Sequence, residues 1–315
     1  MTSMLFRTIV LALAWFACIN AIGSVLALSL AYAIRARAAS CRPWMLVGVR
    51  LLPASVSILF VGAMFLPAQW ALEPRDASET MGLALYGIAI LGAALLLRTA
   101  RRIVGVARAG RLVMADSRPR LDLGVFANTY EVDAAHGVSL AGVVRPRILI
   151  GENVTAQLSH DELDVAVAHE MAHRDAFDNL TRWCMHCAPD FLSRSAVATR
   201  LEHDWHVAAE SRADARAIRG DSTRAVHLAS ALIKVARLSA IPGHRGPVPA
   251  WSTLNDSELL EWRVHRLLSA ALPQAEAPPR LGYLATTLAV SLLIAAPTLA
   301  GSVHRVTEAV VAVLW

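Results

Sequence analysis

Charged residues, and lysine above all, are scarce in this sequence of 315 residues. Charged side chains make up 17% of it, and Lys234 is its single lysine, whereas soluble domains carry about 25% charged residues. Hydrophobic residues reach 56%, above the about 45–50% of soluble proteins. The scarcity of charge argues against a soluble globular protein, and the apolar excess excludes a disordered chain.

Signals for nucleotide or nucleic-acid binding are also lacking. The sequence has no phosphate-binding glycine loop and no basic patch with interspersed aromatic residues. The net charge is +5, but residues 98–280 contain 23 basic and 21 acidic side chains and are nearly balanced. We therefore expect no direct contact with nucleic acid, and the four cysteines suggest no disulfide framework.

Long stretches without Asp, Glu, Lys or Arg are the main feature that is present. They cover residues 8–34, 51–72, 80–97 and 281–303. A helix of about 20 apolar residues crosses a lipid bilayer, so each stretch predicts a transmembrane helix. The first stretch exceeds the 7–15 apolar residues that are typical of a signal peptide. The sequence thus predicts a mainly α-helical, multi-pass membrane protein with four spans.

Basic residues between these stretches predict the orientation. The segment between the first two stretches contains Arg35, Arg37, Arg42 and Arg50 and no acidic residue, and the third stretch is followed by Arg98, Arg101, Arg102, Arg108 and Arg111. Basic loops stay in the cytoplasm. We therefore expect a cell (inner) membrane protein with its N-terminus outside, residues 98–280 in the cytosol and a short extracytoplasmic tail at 304–315.

The cytosolic region predicts an α+β domain with a small antiparallel sheet. Strands are expected at residues 124–132, 138–143 and 147–150, and Pro146 predicts that one of them is an edge strand. Ser159 and Glu162 form a capping-box pattern that opens a helix running from His160 into the 180s. Further helices are predicted at about 197–219, ended by Gly220, and at 222–239 and 255–270.

The strongest chemical signal is the segment His169-Glu170-Met171-Ala172-His173 inside the capped helix. Two histidines four residues apart lie on one helix face, so both can bind the same metal ion. Glu170 is beside the metal position, where a carboxylate can accept a proton from a water molecule. The pattern predicts a zinc hydrolase.

A third metal ligand is expected in the helix at 197–219. Glu210 and Asp214 lie one turn apart on one face, which suits a ligand and a supporting carboxylate that holds an imidazole N–H. His206 shares this face and is the alternative third ligand.

Taken together, these motifs resemble the membrane metallopeptidases of the BlaR/MecR antirepressor family and, more distantly, the HtpX-type membrane proteases. The shared elements are the His169-to-His173 motif with Asp178-Asn179, Glu210-x-x-x-Asp214, Arg145-Pro146-Arg147-Ile148 and Arg263-Val264-x-x-Leu267-Leu268. The resemblance implies a zincin-like domain in which His169, His173 and Glu210 bind one Zn²⁺ per chain and Glu170 is the base. It also implies that Asp214 and Asp178 support the ligands and that Arg263 contacts the substrate or the oxyanion.

These features predict an integral-membrane zinc metalloendopeptidase that cleaves a protein or peptide on the cytosolic side. The substrate or partner is expected to be a transcriptional repressor or a membrane signalling protein. Twelve residues after the last span leave no room for the extracellular penicillin-binding sensor of BlaR/MecR proteins, so β-lactam sensing is not expected. An HtpX-like quality-control protease and a non-proteolytic, zinc-binding signal transducer remain the alternatives.

Overall fold

The computed structural model describes residues 2–35, 42–72, 81–115, 117–119, 129–132, 137–239, 252–253, 259–269 and 298–313. The protein is mainly helical, and the chain divides into two compact units. Unit 1 comprises Met1–Arg101, Ala188–Glu202 and Pro279–Trp315, and unit 2 comprises Arg102–Cys187 and His203–Pro278. Each unit is therefore built from separate parts of the sequence.

Long apolar helices form most of the described part of unit 1. They are α1 (Thr2–Arg35), α2 (Pro43–Leu59), which continues through a π-helical turn at Phe60–Phe65 into α3 (Leu66–Leu72), and α4 (Leu83–Ala115). The stretches Met4–Ile34, Pro43–Leu72 and Leu83–Ala115 are long and apolar enough to cross a membrane. These three candidates agree with the first three predicted spans and suggest a membrane protein.

The end of the chain is only partly described. Residues 281–297, which contain most of the fourth predicted span, lie outside the described residues. Residues 298–313 form a helix, α11, so the described part of the predicted tail is helical. Trp15 on α1 donates a hydrogen bond to the Thr307 hydroxyl at 3.1 Å, which attaches α11 to α1 within unit 1.

The helices extend beyond the uncharged stretches that predicted them. α2 begins at Pro43, which suits the first turn of a helix because the missing N–H needs no partner there. Arg50, expected in a loop, consequently lies inside α2 and is buried. α4 likewise continues past Leu97 to Ala115, because arginine is a good helix former.

Two glycines allow the long helices to approach closely. A Cβ atom at Gly23 on α1 would lie 2.9 Å from the Cα of Pro53 on α2, and one at Gly92 on α4 would clash with the backbone of Leu13 on α1. Small residues at such crossings let membrane helices pack backbone to backbone. Larger side chains at these positions would separate α1 from its neighbours.

Unit 1 also contains a buried polar cluster around Asp190, here called the Asp190 cluster. Arg50 on α2 donates to the Asp190 carboxylate at 2.9 Å and to Glu202 at 2.6 Å. Arg98 on α4 donates to the Asp190 carbonyl and, at 2.7 Å, to the Ser193 hydroxyl. The side chains of Arg50 and Asp190 are 1% and 0% exposed, so these charges are paired with each other rather than with water.

α1 supplies the third attachment to the same segment. The Asn20 amide donates to the Pro189 carbonyl at 2.9 Å and accepts from the Phe191 N–H at 3.1 Å. Three helices thus each present one polar side chain to the short connection that leads into α8 (Ala196–Ile218).

The sheet of unit 2 is mixed, so the prediction of an antiparallel sheet is wrong. Its strands are β1 (Ser117–Pro119), β2 (Thr129–Val132), β3 (Val138–Ala141), β4 (Arg147–Gly151) and β5 (Ser252–Thr253), in the order β1-β2-β4-β3-β5. β2 and β4 are parallel because β3 returns on the far side of β4, whereas the other described pairs are antiparallel.

The expected edge strand also differs. None of the three predicted strands is an edge of the described sheet, since β1 and β5 flank them. Pro146 precedes β4 without entering it, so its missing N–H does not interrupt the ladder. Residues 124–128 of the first predicted strand lie outside the described residues.

Helices of unit 2 follow the sheet and carry the chemical motifs. They are α5 (Glu152–Gln157), α6 (His160–Asp175), α7 (Asp178–Cys187), α8, which begins in unit 1, α9 (Ser222–Ser239) and α10 (Leu260–Leu268). Gly220 follows α8 with a φ of 76°, in agreement with the predicted stop. The single helix expected from His160 into the 180s is wrong, because the chain breaks between α6 and α7 at Phe177, where φ is 56°.

The core of unit 2 lies between the sheet and the helices α6 and α9. Leu140 pairs with Ile148 and Val138 with Ile150 across β3 and β4, and all four side chains are buried. They pack in one cluster with apolar residues of α6 and α9 such as Val167. This packing fixes α6 against the sheet and thereby positions the motif it carries.

Candidate metal centre

The capping box predicted for α6 is confirmed. The Ser159 hydroxyl accepts a hydrogen bond from the Glu162 N–H, and the Glu162 carboxylate accepts from the Ser159 N–H at 2.7 Å. Lys234 and Ser230 on α9 also donate to Glu162. Burial raises the pKa of Glu162, but these donors outweigh it and lower the pKa to about 2. An ionised Glu162 therefore joins the start of α6 to α9.

His169, Glu170 and His173 lie on α6 and are completely buried. The two imidazoles are edge to face, with ring centroids 4.7 Å apart and their Nε2 atoms 3.1 Å apart. The helical spacing that the sequence indicated thus brings both Nε2 atoms to one point.

Glu210 reaches the same point from α8. Its Oε2 lies 3.4 Å from His169 Nε2 and its Oε1 lies 3.4 Å from His173 Nε2. One ligand atom from each of the three residues lies within 4.8 Å of the others. The three predicted ligands therefore form a buried group that can hold a metal ion, and among the described residues it is Glu210 rather than His206 that completes it.

Each of these histidines is supported by a carboxylate. Asp178 Oδ2 lies 2.8 Å from His173 Nδ1, and Asp214 Oδ1 lies 3.0 Å from His169 Nδ1. A carboxylate at Nδ1 orients the ring and leaves Nε2 to face a metal. The break at Phe177 is what starts a new helix at Asp178 and lets this side chain turn back onto α6.

Two arginines hold the supporting carboxylates. Arg212 Nη2 donates to Asp178 at 2.6 Å, and the completely buried Arg263 donates to both oxygens of Asp214 at 2.6 and 3.1 Å. Arg263 Nη1 also lies 2.9 Å from Glu210 Oε2, without hydrogen-bond alignment. Arg263 was expected to contact the substrate or the oxyanion; its burial and its contacts with Asp214 and Glu210 favour a positioning role. Sequence patterns gave no indication of Arg212.

The charges around the three candidate ligands suit a cation. Burial raises the pKa of Glu210, Asp214 and Asp178, but the neighbouring guanidiniums and histidines outweigh it and hold each pKa below its usual value. These three carboxylates face only two guanidiniums, and ionised Glu170 adds another negative charge. Burial by itself lowers the pKa of His173, yet attraction to Glu210 and Asp178 raises it to about 10.

Buried carboxylate oxygens without hydrogen-bond donors mark the position where a cation fits. Neither carboxylate oxygen of Glu170 or of Glu210 has a hydrogen-bond donor, although all four are buried. Buried carboxylates without donors are rare because they lose hydration without replacement. Burial is the largest effect on Glu170 and raises its pKa. Two imidazoles, a carboxylate and a surrounding negative charge suit a divalent metal ion.

A cavity of about 350 Å³ adjoins the centre at His173. Its other walls are mostly apolar and include Leu140, Val143 and Phe177. The Asn179 amide donates to the carbonyls of Leu140 and Gly142 at 2.7 and 2.9 Å. The Leu140 carbonyl in β3 and the Gly142 carbonyl just after it are therefore already paired beside the cavity.

No protein-family model matches this chain, and a comparison with curated proteins finds no significant similarity. The resemblance to BlaR/MecR metallopeptidases therefore stays a prediction from the motifs. The case for a function depends on the geometry of the centre.

Proposed function

We propose that the protein is an integral-membrane zinc metalloendopeptidase. The observation that carries this proposal is the convergence of His169, His173 and Glu210 with a fourth buried carboxylate, Glu170, whose oxygens have no donor. The proposal includes the zincin-like character of unit 2, four spans, an outside N-terminus and a cytosolic site.

His169, His173 and Glu210 would hold the zinc ion, and Asp178 and Asp214 would keep the imidazoles in the orientation that binds it. Structural zinc sites usually have four protein ligands, whereas catalytic sites have three and keep one position for water or substrate. The three ligands found among the residues that the structure describes therefore favour catalysis. When bound, the metal supplies a Lewis acid that polarises a carbonyl group and makes a water molecule more acidic.

Glu170 is the general base in this proposal. Its carboxylate accepts a proton from the attacking water, whose oxygen forms a bond to the carbonyl carbon of the peptide. The C–N bond then breaks, and Glu170 returns the proton to the leaving amine. The raised pKa of Glu170 suits this role, because a base must both take up and release the proton.

The buried Glu170 also favours an enzyme over a non-proteolytic signal transducer. A purely structural zinc site needs its ligands but gains nothing from a further buried carboxylate without donors, which lowers stability. The substrate is a protein or peptide, such as a transcriptional repressor or a membrane protein, and the cavity beside His173 leaves room for one of its side chains. An HtpX-like quality-control role predicts many membrane-protein substrates instead of one.

The decisive experiment compares newly formed protein N-termini in cells that produce the parent protein or the Glu170→Gln variant. We expect a set of termini that requires Glu170, with equal zinc content in both purified proteins. Glu152→Gln, at an exposed position on α5, is the matched control and should retain every cleavage. Identical termini for Glu170→Gln and the parent, with zinc bound in both, would contradict the proposal.

A further inference from the structure

The cavity that adjoins His173 lies between two connections of unit 2. The turn between β3 and β4 contributes Val143 and Pro146, and the junction of α6 and α7 contributes Phe177 and Leu180. Its volume of about 350 Å³ exceeds the roughly 150 Å³ of an apolar cavity that holds a benzene molecule. The cavity therefore has room for a large apolar side chain.

The lining of this cavity is open to solvent and mostly apolar. Phe177 is 67% exposed and Leu180 is 37% exposed, whereas Leu140 in the same wall is buried. Arg174 and Asp175 also line the cavity, but they pair with each other at 3.2 Å and add no net charge to the wall. Such a lining favours an uncharged, apolar ligand group that enters from solvent.

The backbone of β3 beside the cavity is already paired. Ser139 and Leu140 pair with β4 on one side and with β5 on the other. The carbonyls of Leu140 and Gly142 also accept hydrogen bonds from the Asn179 amide. A peptide that binds by adding a strand needs a free strand edge, and these residues do not offer one. Recognition at this position therefore depends on a side chain that enters the cavity.

Phe177 has a backbone conformation that suits glycine better than phenylalanine. Its φ of 56° lies in the left-handed region, which is unfavourable for a residue with a Cβ atom. Its N–H donates to the Arg174 carbonyl at 3.1 Å, and its carbonyl accepts from the N–H and the hydroxyl of Thr181 at 3.0 and 3.2 Å. Glycine makes the same three hydrogen bonds, and the exposed ring adds little to the core. Strained residues cluster at ligand sites, and what this ring adds is apolar surface in the cavity wall.

We propose that this cavity binds a large apolar side chain of the peptide substrate, such as that of leucine, methionine or phenylalanine, and that Phe177 determines this specificity. His173, a ligand of the proposed zinc ion, belongs to the same wall. The bound side chain is therefore that of a residue close to the scissile bond. This inference rests on the proposed peptidase function and adds a substrate preference to it.

The test uses full-length protein in nanodiscs and a peptide that spans a Glu170-dependent cut from the N-terminus experiment. Residues on both sides of the cut are changed one at a time to leucine, alanine or aspartate. At one position we expect leucine to give at least about 10-fold higher kcat/KM than alanine, as apolar pockets discriminate, and aspartate to give the lowest value. Phe177→Gly should lower the leucine-to-alanine ratio several-fold without lowering the temperature of unfolding, because glycine fits this backbone.

Arg219→Gly is the matched control. Phe177 and Arg219 are the two described residues other than glycine with a positive φ, and Arg219, with a φ of 52°, does not line the cavity. Arg219→Gly should keep the peptide preference of the parent. Val143→Trp places a ring in the cavity and should shift the preference from leucine towards alanine. The affinities of uncleaved peptides, measured in the Glu170→Gln background, should follow the same order.

Three outcomes would overturn the inference while the proposed function stands. They are a parent without preference for an apolar residue at any position, an unchanged leucine-to-alanine ratio in Phe177→Gly, and a lower temperature of unfolding in that variant, which would show a structural role of the ring. An unchanged ratio with activity lost in nanodiscs but not in detergent micelles would assign the cavity to a lipid chain. If no Glu170-dependent cut is found, the proposed function fails, and this inference fails with it.

Discussion

Two buried polar regions of this protein differ in how their charges are satisfied. In the Asp190 cluster of unit 1, Arg50 contacts two carboxylates and Asp190 also accepts from the Ser193 N–H at 2.6 Å. In the candidate metal centre of unit 2, the four carboxylate oxygens of Glu170 and Glu210 have no aligned hydrogen-bond donor. Buried carboxylates that are paired stabilise the fold, whereas buried carboxylates without donors have a free energy that a ligand can lower. Of the two regions, the candidate metal centre is therefore the one whose charges favour binding of a ligand.

The largest effect is expected at the metal centre. Glu210→Gln keeps the shape of the side chain and removes the charge that a divalent cation needs. We expect zinc affinity, measured by competition with a chelating dye, to fall by more than the about 10- to 100-fold that supporting residues contribute. Glu152→Gln should bind zinc like the parent, and unchanged affinity in Glu210→Gln would remove the distinction between the two regions.

The opposite behaviour is expected in the Asp190 cluster. Arg50→Ala leaves Asp190 buried without its cation, and breaking a buried ion pair costs about 3–5 kcal/mol. Unfolding in mixed micelles should show this loss, while the folded fraction keeps its zinc affinity. Arg50→Met with Asp190→Leu removes both charges and should recover much of the stability. If the single variant were as stable as the parent, the cluster would not be a structural network.

A Glu162→Gln variant tests whether a buried carboxylate with hydrogen-bond donors also stabilises unit 2. The folded pKa of Glu162, about 2, lies below the ordinary 4.5, so ionisation favours the folded state by up to about 3 kcal/mol. This contribution is complete above pH 4.5 and disappears as the pH falls towards 2. We expect Glu162→Gln to lower the free energy of unfolding at pH 7, with the difference from the parent shrinking below pH 4.5. A difference independent of pH would contradict this account.

The smallest and most unusual effect is a gain in stability. Glu170→Met replaces a buried carboxylate without donors by an apolar side chain of similar length. We expect the metal-free protein to gain about 1–3 kcal/mol, the cost of an unsatisfied buried group, and to lose all cleavage. A loss of stability would show that the Glu170 carboxylate has stabilising partners in the folded protein. It would contradict the difference drawn between the metal centre and the Asp190 cluster.

Sequence patterns predicted those parts of the site that depend on local spacing. His169 and His173 are one turn apart, and the Ser159–Glu162 box closes within three residues, so helix geometry alone determines both. Arg212 with Asp178, and Arg50 with Asp190, are pairs that only the tertiary fold brings together. No periodicity in the sequence could have indicated them.

Two errors of prediction have the same physical origin. The chain breaks at Phe177, which has a left-handed backbone conformation that phenylalanine rarely adopts. Because no glycine or proline stands at this position, the sequence gave no indication of the break. The parallel pairing of β2 with β4 depends on β3 adding to the far side of β4. Both features are decided by packing around the site rather than by local preference.

The division of α8 between the units limits how the protein can be dissected. Its first turns belong to unit 1 with Ala188–Glu202, and the later turns of the same helix carry Glu210 and Asp214 in unit 2. The chain crosses between the units four times, at residues 101–102, 187–188, 202–203 and 278–279. No single cut therefore separates the candidate metal centre cleanly from the apolar helices, because a fragment that retains α6 and α8 but lacks residues 1–101 also retains the Asp190 segment without the helices that hold it. Expression of residues 102–278 alone should give protein that aggregates through this segment, and purification should start from the full-length chain.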